Sequence, residues 1–163
     1  SPRKRLPAPS VRTYVSPAAD RTAFRASDPA YEKIFEAAKA SAAREGKYIL
    51  TVFSGSDWCG FCKRLDDDVL SEKKFIRQVS RKYVPVYVDS PRDRSLLSAK
   101  AQDQNPGLID RYSPNGYPTV VVTDADGEEI ARFSGYGGGG SSAFMRRLED
   151  SVKDAERERK RRK

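Results

Sequence analysis

Hydrophobic positions along the chain alternate between two periods. Tyr31, Ile34, Phe35 and Ala38 recur at helical spacing after Asp28-Pro29, a capping residue followed by a proline suited to the first helical position, and Gly46 ends that helix. Tyr48 to Phe53 is apolar apart from Thr51, the pattern of a strand covered on both faces in the middle of a sheet. Leu65, Val69 and Leu70 then resume a helical face, with Asp66, Asp67 and Asp68 read mostly as its solvated side. Ser71 to Tyr83 predicts another helix, capped by Ser71 with Phe75, Ile76 and Val79 inward, and Val84 to Val88 predicts a strand ended by Asp89-Ser90-Pro91.

The pattern weakens from Arg92 to Gly107, where charges, Gln and an Asn105-Pro106-Gly107 breaker predict loops and short helical pieces, with a last turn at Leu108, Ile109 and Tyr112. Thr119 to Thr123 is a strand, Asp124-Ala125-Asp126-Gly127 a hairpin turn, and Glu129 to Ser134 an alternating edge strand. Gly137 to Gly140 lacks both the lysine of a phosphate-binding loop and the spacing of a dinucleotide fingerprint, so it reads as a turn. Ser141 or Ser142 then caps a final helix with Phe144, Met145 and Leu148 inward.

Composition changes this picture at the two ends. The formal net charge is +8, but residues 1–25 carry a net +5 and residues 153–163 a net +4, leaving a body of net −1. Basic tails around a neutral body solubilise or attract polyanions loosely rather than define a specific reading surface, so no specific nucleic-acid partner is expected. Residues 1–26 read as an extended basic arm, with Tyr14 and Val15 its local contacts, residues 27–152 as one domain and residues 153–163 as a basic charged tail that leaves the core. No apolar run is long enough to span a membrane. The chain starts at Ser1 without methionine, so a trimmed form is expected, and the segment upstream could have been an export signal.

The candidate chemistry lies in Trp58-Cys59-Gly60-Phe61-Cys62-Lys63, which holds both cysteines of the chain. Two thiols three positions apart at the start of a helix lie one turn apart on one face and can close a disulfide. At the helix N-terminus Cys59 faces unpaired backbone N–H groups, which favour its thiolate, so Cys59 is the attacker and is expected to be exposed. Cys62, one turn inside between Phe61 and Leu65, suits a buried resolving thiol. With two cysteines and no histidine, a zinc site of cysteines and histidines within one chain cannot be completed, and only a four-cysteine site shared between two subunits remains for zinc.

A buried strand running into Trp-Cys-Gly-x-Cys-Lys, followed at a distance by Gly116-Tyr117-Pro118-Thr119, a strand, a turn and a strand, resembles the thioredoxin superfamily from about Pro29 to Asp150. Ser54-Gly55-Ser56-Asp57-Trp58-Cys59-Gly60-Phe61-Cys62 is similar in particular to thioredoxin-like proteins of bacterial envelopes. The resemblance implies an α/β fold with a central mixed β-sheet flanked by helices, and a thiol-disulfide oxidoreductase that needs no cofactor or metal. It implies Cys59 as nucleophile, Cys62 as resolving thiol, and Trp58, Gly60, Phe61, Tyr117 and cis-Pro118 as the substrate-binding rim. The implied partners are a protein thiol or disulfide substrate and an upstream redox protein, for a monomer in the periplasm or secreted.

One departure qualifies the resemblance. Many thioredoxins carry a buried acid on the central strand that accepts the resolving thiol's proton, and here that position falls on Val52 or Phe53. Neither takes a proton, so water or Lys63 is all the sequence offers, and slow resolution of mixed disulfides is expected. A weakly catalytic, redox-gated protein-binding module is the alternative function.

Overall fold

The computed structural model describes residues 29–162; the arm expected over residues 1–26, with Tyr14 and Val15, the Asp28 cap and Lys163 lie outside them. Helix α1 (Phe35–Glu45) leads to strand β1 (Tyr48–Ser54), α2 (Gly60–Leu65), which continues as a π turn (Asp66–Leu70), α3 (Lys73–Val79) and β2 (Tyr83–Asp89). A 3₁₀ turn (Arg94–Leu96), α4 (Ala99–Tyr112), the hairpin of β3 (Thr119–Thr123) and β4 (Glu129–Ser134), and the long α5 (Gly140–Arg161) follow.

The sheet order is β2-β1-β3-β4, with β2 parallel to β1 and both β3 against β1 and β4 against β3 antiparallel. β1 is therefore an inner strand, and its two faces feed two cores. Leu50 and Val52 pack with Tyr83 and Tyr87 of β2 against Leu65, Val69 and Leu70 and against Phe144, Leu148 and Val152 of α5. Ile49 and Phe53 point the other way, to Phe35, Ala38 and Ala42 of α1 and Leu108 and Tyr112 of α4. Burial on both faces is why the strand carries no apolar-polar alternation. This is the mixed sheet flanked by helices that the resemblance implies.

Four local expectations are corrected. The first helix begins at Phe35 rather than after Asp28-Pro29, because Glu32 bridges in parallel to Val86: its N–H donates to Pro85 O and its C=O accepts from Tyr87 N, each at 2.9 Å. The outer edge of β2 has backbone groups to satisfy, and this segment satisfies two of them. The expected helix at Ser71 begins two residues later, at Lys73 after a Glu72 cap.

The weak region after Arg92 contains a 14-residue helix that runs through Pro106. Proline there removes one backbone hydrogen bond. Ala101, Asn105, Leu108 and Tyr112, buried at helical spacing, outweigh the loss, and Asn105 Nδ2 pins the helix to Asp89 O at 2.8 Å. Finally, α5 is capped by Gly139, at φ 89°, and by the Tyr136 hydroxyl, which accepts from Gly140 N at 3.0 Å, rather than by Ser141 or Ser142. The same helix continues to Arg161; Val152 is its last buried residue, and beyond it the Tyr48 hydroxyl donates to Glu156.

Candidate active site

The end of β1 turns sharply at Gly55, whose carbonyl accepts the N–H of Trp58 at 3.2 Å and of Cys59 at 2.8 Å. The Trp58 indole lies directly on Gly55: a Cβ there would stand 2.2 Å from Cε2. The C-terminal end of β2 clamps the loop. Ser56 donates its N–H to Asp89 Oδ1 at 2.8 Å and its hydroxyl to Asp89 Oδ2, and the Trp58 indole donates to Ser90 O at 2.8 Å. The Asp57 carboxylate accepts from the backbone N–H of Arg92 at 2.8 Å and Asp93 at 2.9 Å. Burial pushes the Asp89 carboxyl above its ordinary range, against the hydrogen bonds from Ser56.

Cys59 is the N-cap of α2, with extended backbone at φ −100° and ψ 111°, and its Sγ accepts the Cys62 N–H at 3.2 Å. The sulfur thus occupies the place that a serine or aspartate oxygen takes at other helix starts. Both thiols are free, one turn apart. Cys59 Sγ also lies 3.6 Å from Tyr117 O, and the Tyr117–Pro118 peptide is cis. Cys59 is 7% exposed, which corrects the expectation of an exposed thiol: the cap N–H and the Tyr117 carbonyl hold its sulfur inward, and Trp58 and Tyr117 meet edge to face beside it at 5.4 Å. Trp58 and Phe61 remain exposed, as does Gly60, while Tyr117 is half-buried and Pro118 buried.

Cys62 is 1% exposed, and its thiol is pushed up to about 12, by burial first and then by the Cys59 hydrogen bond. Two donors oppose that rise: the Gly55 N–H, 3.4 Å from the sulfur, and the Ser54 hydroxyl.

The structure overturns the reading of Asp66 as part of a solvated face, for Asp66 is 1% exposed. It stands four residues after Cys62, one turn on and on the same helix face, where the π turn begins. The Tyr87 hydroxyl donates to its carboxylate, at 3.0 Å to one oxygen and 3.2 Å to the other, and lies 2.8 Å from Ser54 Oγ. Val52 pairs in register with Tyr87 on this face, while Phe53 belongs to the opposite core. An acid therefore does reach the dithiol's face of the sheet, but from the helix rather than the strand. Two signals could have found it: the four-residue spacing of Cys62 and Asp66, and the shared parity of Leu50, Val52 and Ser54 on one strand and Tyr83 and Tyr87 on the other.

A dithiol at the end of the inner strand of this sheet, with a cis-proline peptide beside it, defines a thioredoxin-like protein. The chain belongs to the thioredoxin-like domain family, whose model matches residues 35–149. It is similar to the disulfide bond reductase DsbH of Chlamydia pneumoniae, 30% identical over 110 residues that cover 68% of this chain and 65% of that protein. It is also similar to the thioredoxin-related protein DsbJ of Chlamydia pneumoniae, 32% identical over 89 residues, 55% of this chain and 25% of that protein. The chain thus spans less than two thirds of either relative. Among solved structures, a DsbH oxidoreductase matches with a TM-score of 0.69 at 26% identity, covering 80% of this chain and 88% of that one.

Proposed function

We propose that the chain is a protein thiol-disulfide oxidoreductase, in which the Cys59 thiolate attacks a substrate disulfide and Cys62 resolves the mixed disulfide. The observation that carries this reading is the asymmetry of the two thiols: Cys59 Sγ receives a helix-cap N–H, whereas burial holds Cys62 protonated, at about 12. Only the thiolate is a nucleophile, so the first attack belongs to Cys59. The exposed Trp58 and Phe61, with Gly60, Tyr117 and Pro118, form the rim on which an extended protein substrate lies. The name of one relative, a disulfide bond reductase, supports the reducing direction, and the exposed Trp58 and Phe61 beside the dithiol suit a protein substrate. An upstream dithiol protein then returns the pair to its reduced form, and the resemblance of the stretch from Ser54 to Cys62 to thioredoxin-like proteins of bacterial envelopes supports a place in the envelope. Among the described residues no helix is long and apolar enough to cross a membrane.

The test is insulin reduction driven by dithiothreitol, alongside alkylation of the reduced protein near neutral pH. Turnover above the reagent alone, lost in Cys59→Ser, with Cys59 alkylated at least about tenfold faster than Cys62, is expected. A protein that binds insulin without accelerating its reduction is instead a redox-gated binding module.

A further inference from the structure

Resolution requires Cys62 to lose a proton inside the fold, where it is 1% exposed. Lys63 does not serve, because adjacent helix positions do not share a face. Asp89 is committed to Ser56 through both carboxylate oxygens. The backbone N–H of Gly55 lies 3.4 Å from the Cys62 sulfur at the end of β1, and the residue before it, Ser54, is the side-chain hydroxyl that acts on this thiol; Ser54 Oγ in turn lies 2.8 Å from the Tyr87 hydroxyl, which donates to Asp66 at 3.0 Å.

We infer that Ser54 and Tyr87 form a proton relay from the Cys62 thiol to the Asp66 carboxylate, which is the base for resolution of the mixed disulfide. This rests on the dithiol reading above and specifies its second step. Each hydroxyl carries one hydrogen and accepts another, so the chain can be polarised in either direction. In the polarisation that serves attack, the reverse of the one in which Ser54 donates to the sulfur, the Cys62 S–H donates to Ser54 Oγ, Ser54 to the Tyr87 oxygen and Tyr87 to Asp66. As the Cys62 sulfur bonds to Cys59 Sγ, each proton moves one place along. Asp66 becomes a carboxylic acid that donates to Tyr87, and both hydroxyls keep a proton. The bond between Cys59 and the substrate sulfur breaks, Cys62 is oxidised, and the substrate sulfur leaves reduced with the electron pair. The leaving thiolate takes a proton from water and Asp66 loses one to water, which closes the balance. Tyr87 is never required as a phenolate, in keeping with burial and the Asp66 charge, which hold its hydroxyl well above the ordinary tyrosine range.

Other groups face this path. Cys59 and Tyr117 face Cys62, from the cap and from the loop before β3. Asp89 lies along β2 from Tyr87, and Tyr31 stands edge-on to Tyr87 at 6.4 Å with its own hydroxyl on Leu70 O. Lys63, Arg64, Asp67 and Asp68 share the helical stretch, Asp68 accepting from Tyr136. The α3 and α5 side of this core is apolar, through Phe75, Val79, Phe144 and Leu148.

The experiment follows the reduced protein with 5,5′-dithiobis(2-nitrobenzoate) by stopped flow. The first thionitrobenzoate release scales with reagent and reports attack by Cys59; the second is unimolecular and reports resolution by Cys62. In the wild type the second rate should vary little from about pH 6 to about pH 9. In Asp66→Asn, which keeps the shape and an acceptor for Tyr87, it should fall at least about tenfold at neutral pH and then rise with pH, since hydroxide must replace the base. Tyr87→Phe and Ser54→Ala should give the same profile, the doubly substituted Asp66→Asn/Tyr87→Phe protein should be no slower than either single variant, and Asp66→Glu should restore part of the rate. Ser54→Ala removes one oxygen only and keeps the test open if a larger change unfolds the domain. Second-phase rates within twofold of wild type in all three single variants, or a loss confined to Asp89→Asn, would overturn the relay. Absence of the first phase in the wild type would instead overturn the dithiol reading itself.

Discussion

The indole of Trp58 rests on the Cα of Gly55, so close that a methyl group at 55 would stand 2.2 Å from Cε2 and 2.3 Å from Cζ2. This contact holds the tryptophan where its Nε1 reaches Ser90 O and its edge meets Tyr117. Gly55→Ala should therefore displace the indole and cost about 1–3 kcal/mol through overpacking. Trp58 is the single tryptophan, so its emission should shift together with the fall in Tm. An unchanged spectrum and melt would show that the loop accommodates the methyl elsewhere.

The reduced protein should lose stability at high pH. The Cys62 thiol titrates from an ordinary value of 9.0 but is held to about 12 in the fold, and burial does the same for Tyr83, from 10.0 to about 12. The folded state keeps protons that the unfolded chain releases, so this contribution to stability is fully present below about pH 9 and lost as pH rises toward about 12. Denaturant unfolding of the dithiol form at successive pH values reads the slope. Cys62→Ala and Tyr83→Phe should each flatten it, and a wild-type curve level across that window would contradict the assignment.

Removing residues 156–163 should lower stability by about 0.5–1.5 kcal/mol while leaving disulfide reduction intact, because it deletes the acceptor of the Tyr48 hydroxyl far from the dithiol. From charge partition alone these residues are expected to lie outside the core, and their loss to leave the melt unchanged. Tyr48→Phe should reproduce most of the effect, and truncation of the Tyr48→Phe protein should add little. Full additivity of the two changes would mean that the helix end is held by other contacts.

The pattern of side chains determined the two-sided burial of β1, the Gly46 stop and the hairpin around Gly127, because each depends on a few adjacent residues and their backbone preferences. The cysteine pair and its place at a helix start were legible for the same reason: a spacing of three on a helix is a local fact. The extended course of Glu32 and the helix through Pro106 were not. Local propensity argued for a helix in the first case and against one in the second, and each was decided by partners distant in sequence: the edge of β2 for Glu32, and Asp89 O together with the core beneath α4 for Asn105, Leu108 and Tyr112.

The candidate active site divides in the same way. Cys59, Cys62 and the Trp58 wall could be read from one stretch of chain, and the Tyr117-Pro118 pair from a second. Asp66 could not be told from Asp67 and Asp68 by residue type, since three adjacent acids look alike until something selects one of them. Tertiary structure makes the selection. Only Asp66 is carried under the sheet by the turn that follows Cys62, and only there does Tyr87, a neighbour of Val52 by strand register rather than by sequence, present a hydroxyl to it. A buried carboxyl needs a hydrogen-bond donor, and which donor meets which acid is settled by packing, because it joins residues that the chain itself keeps apart.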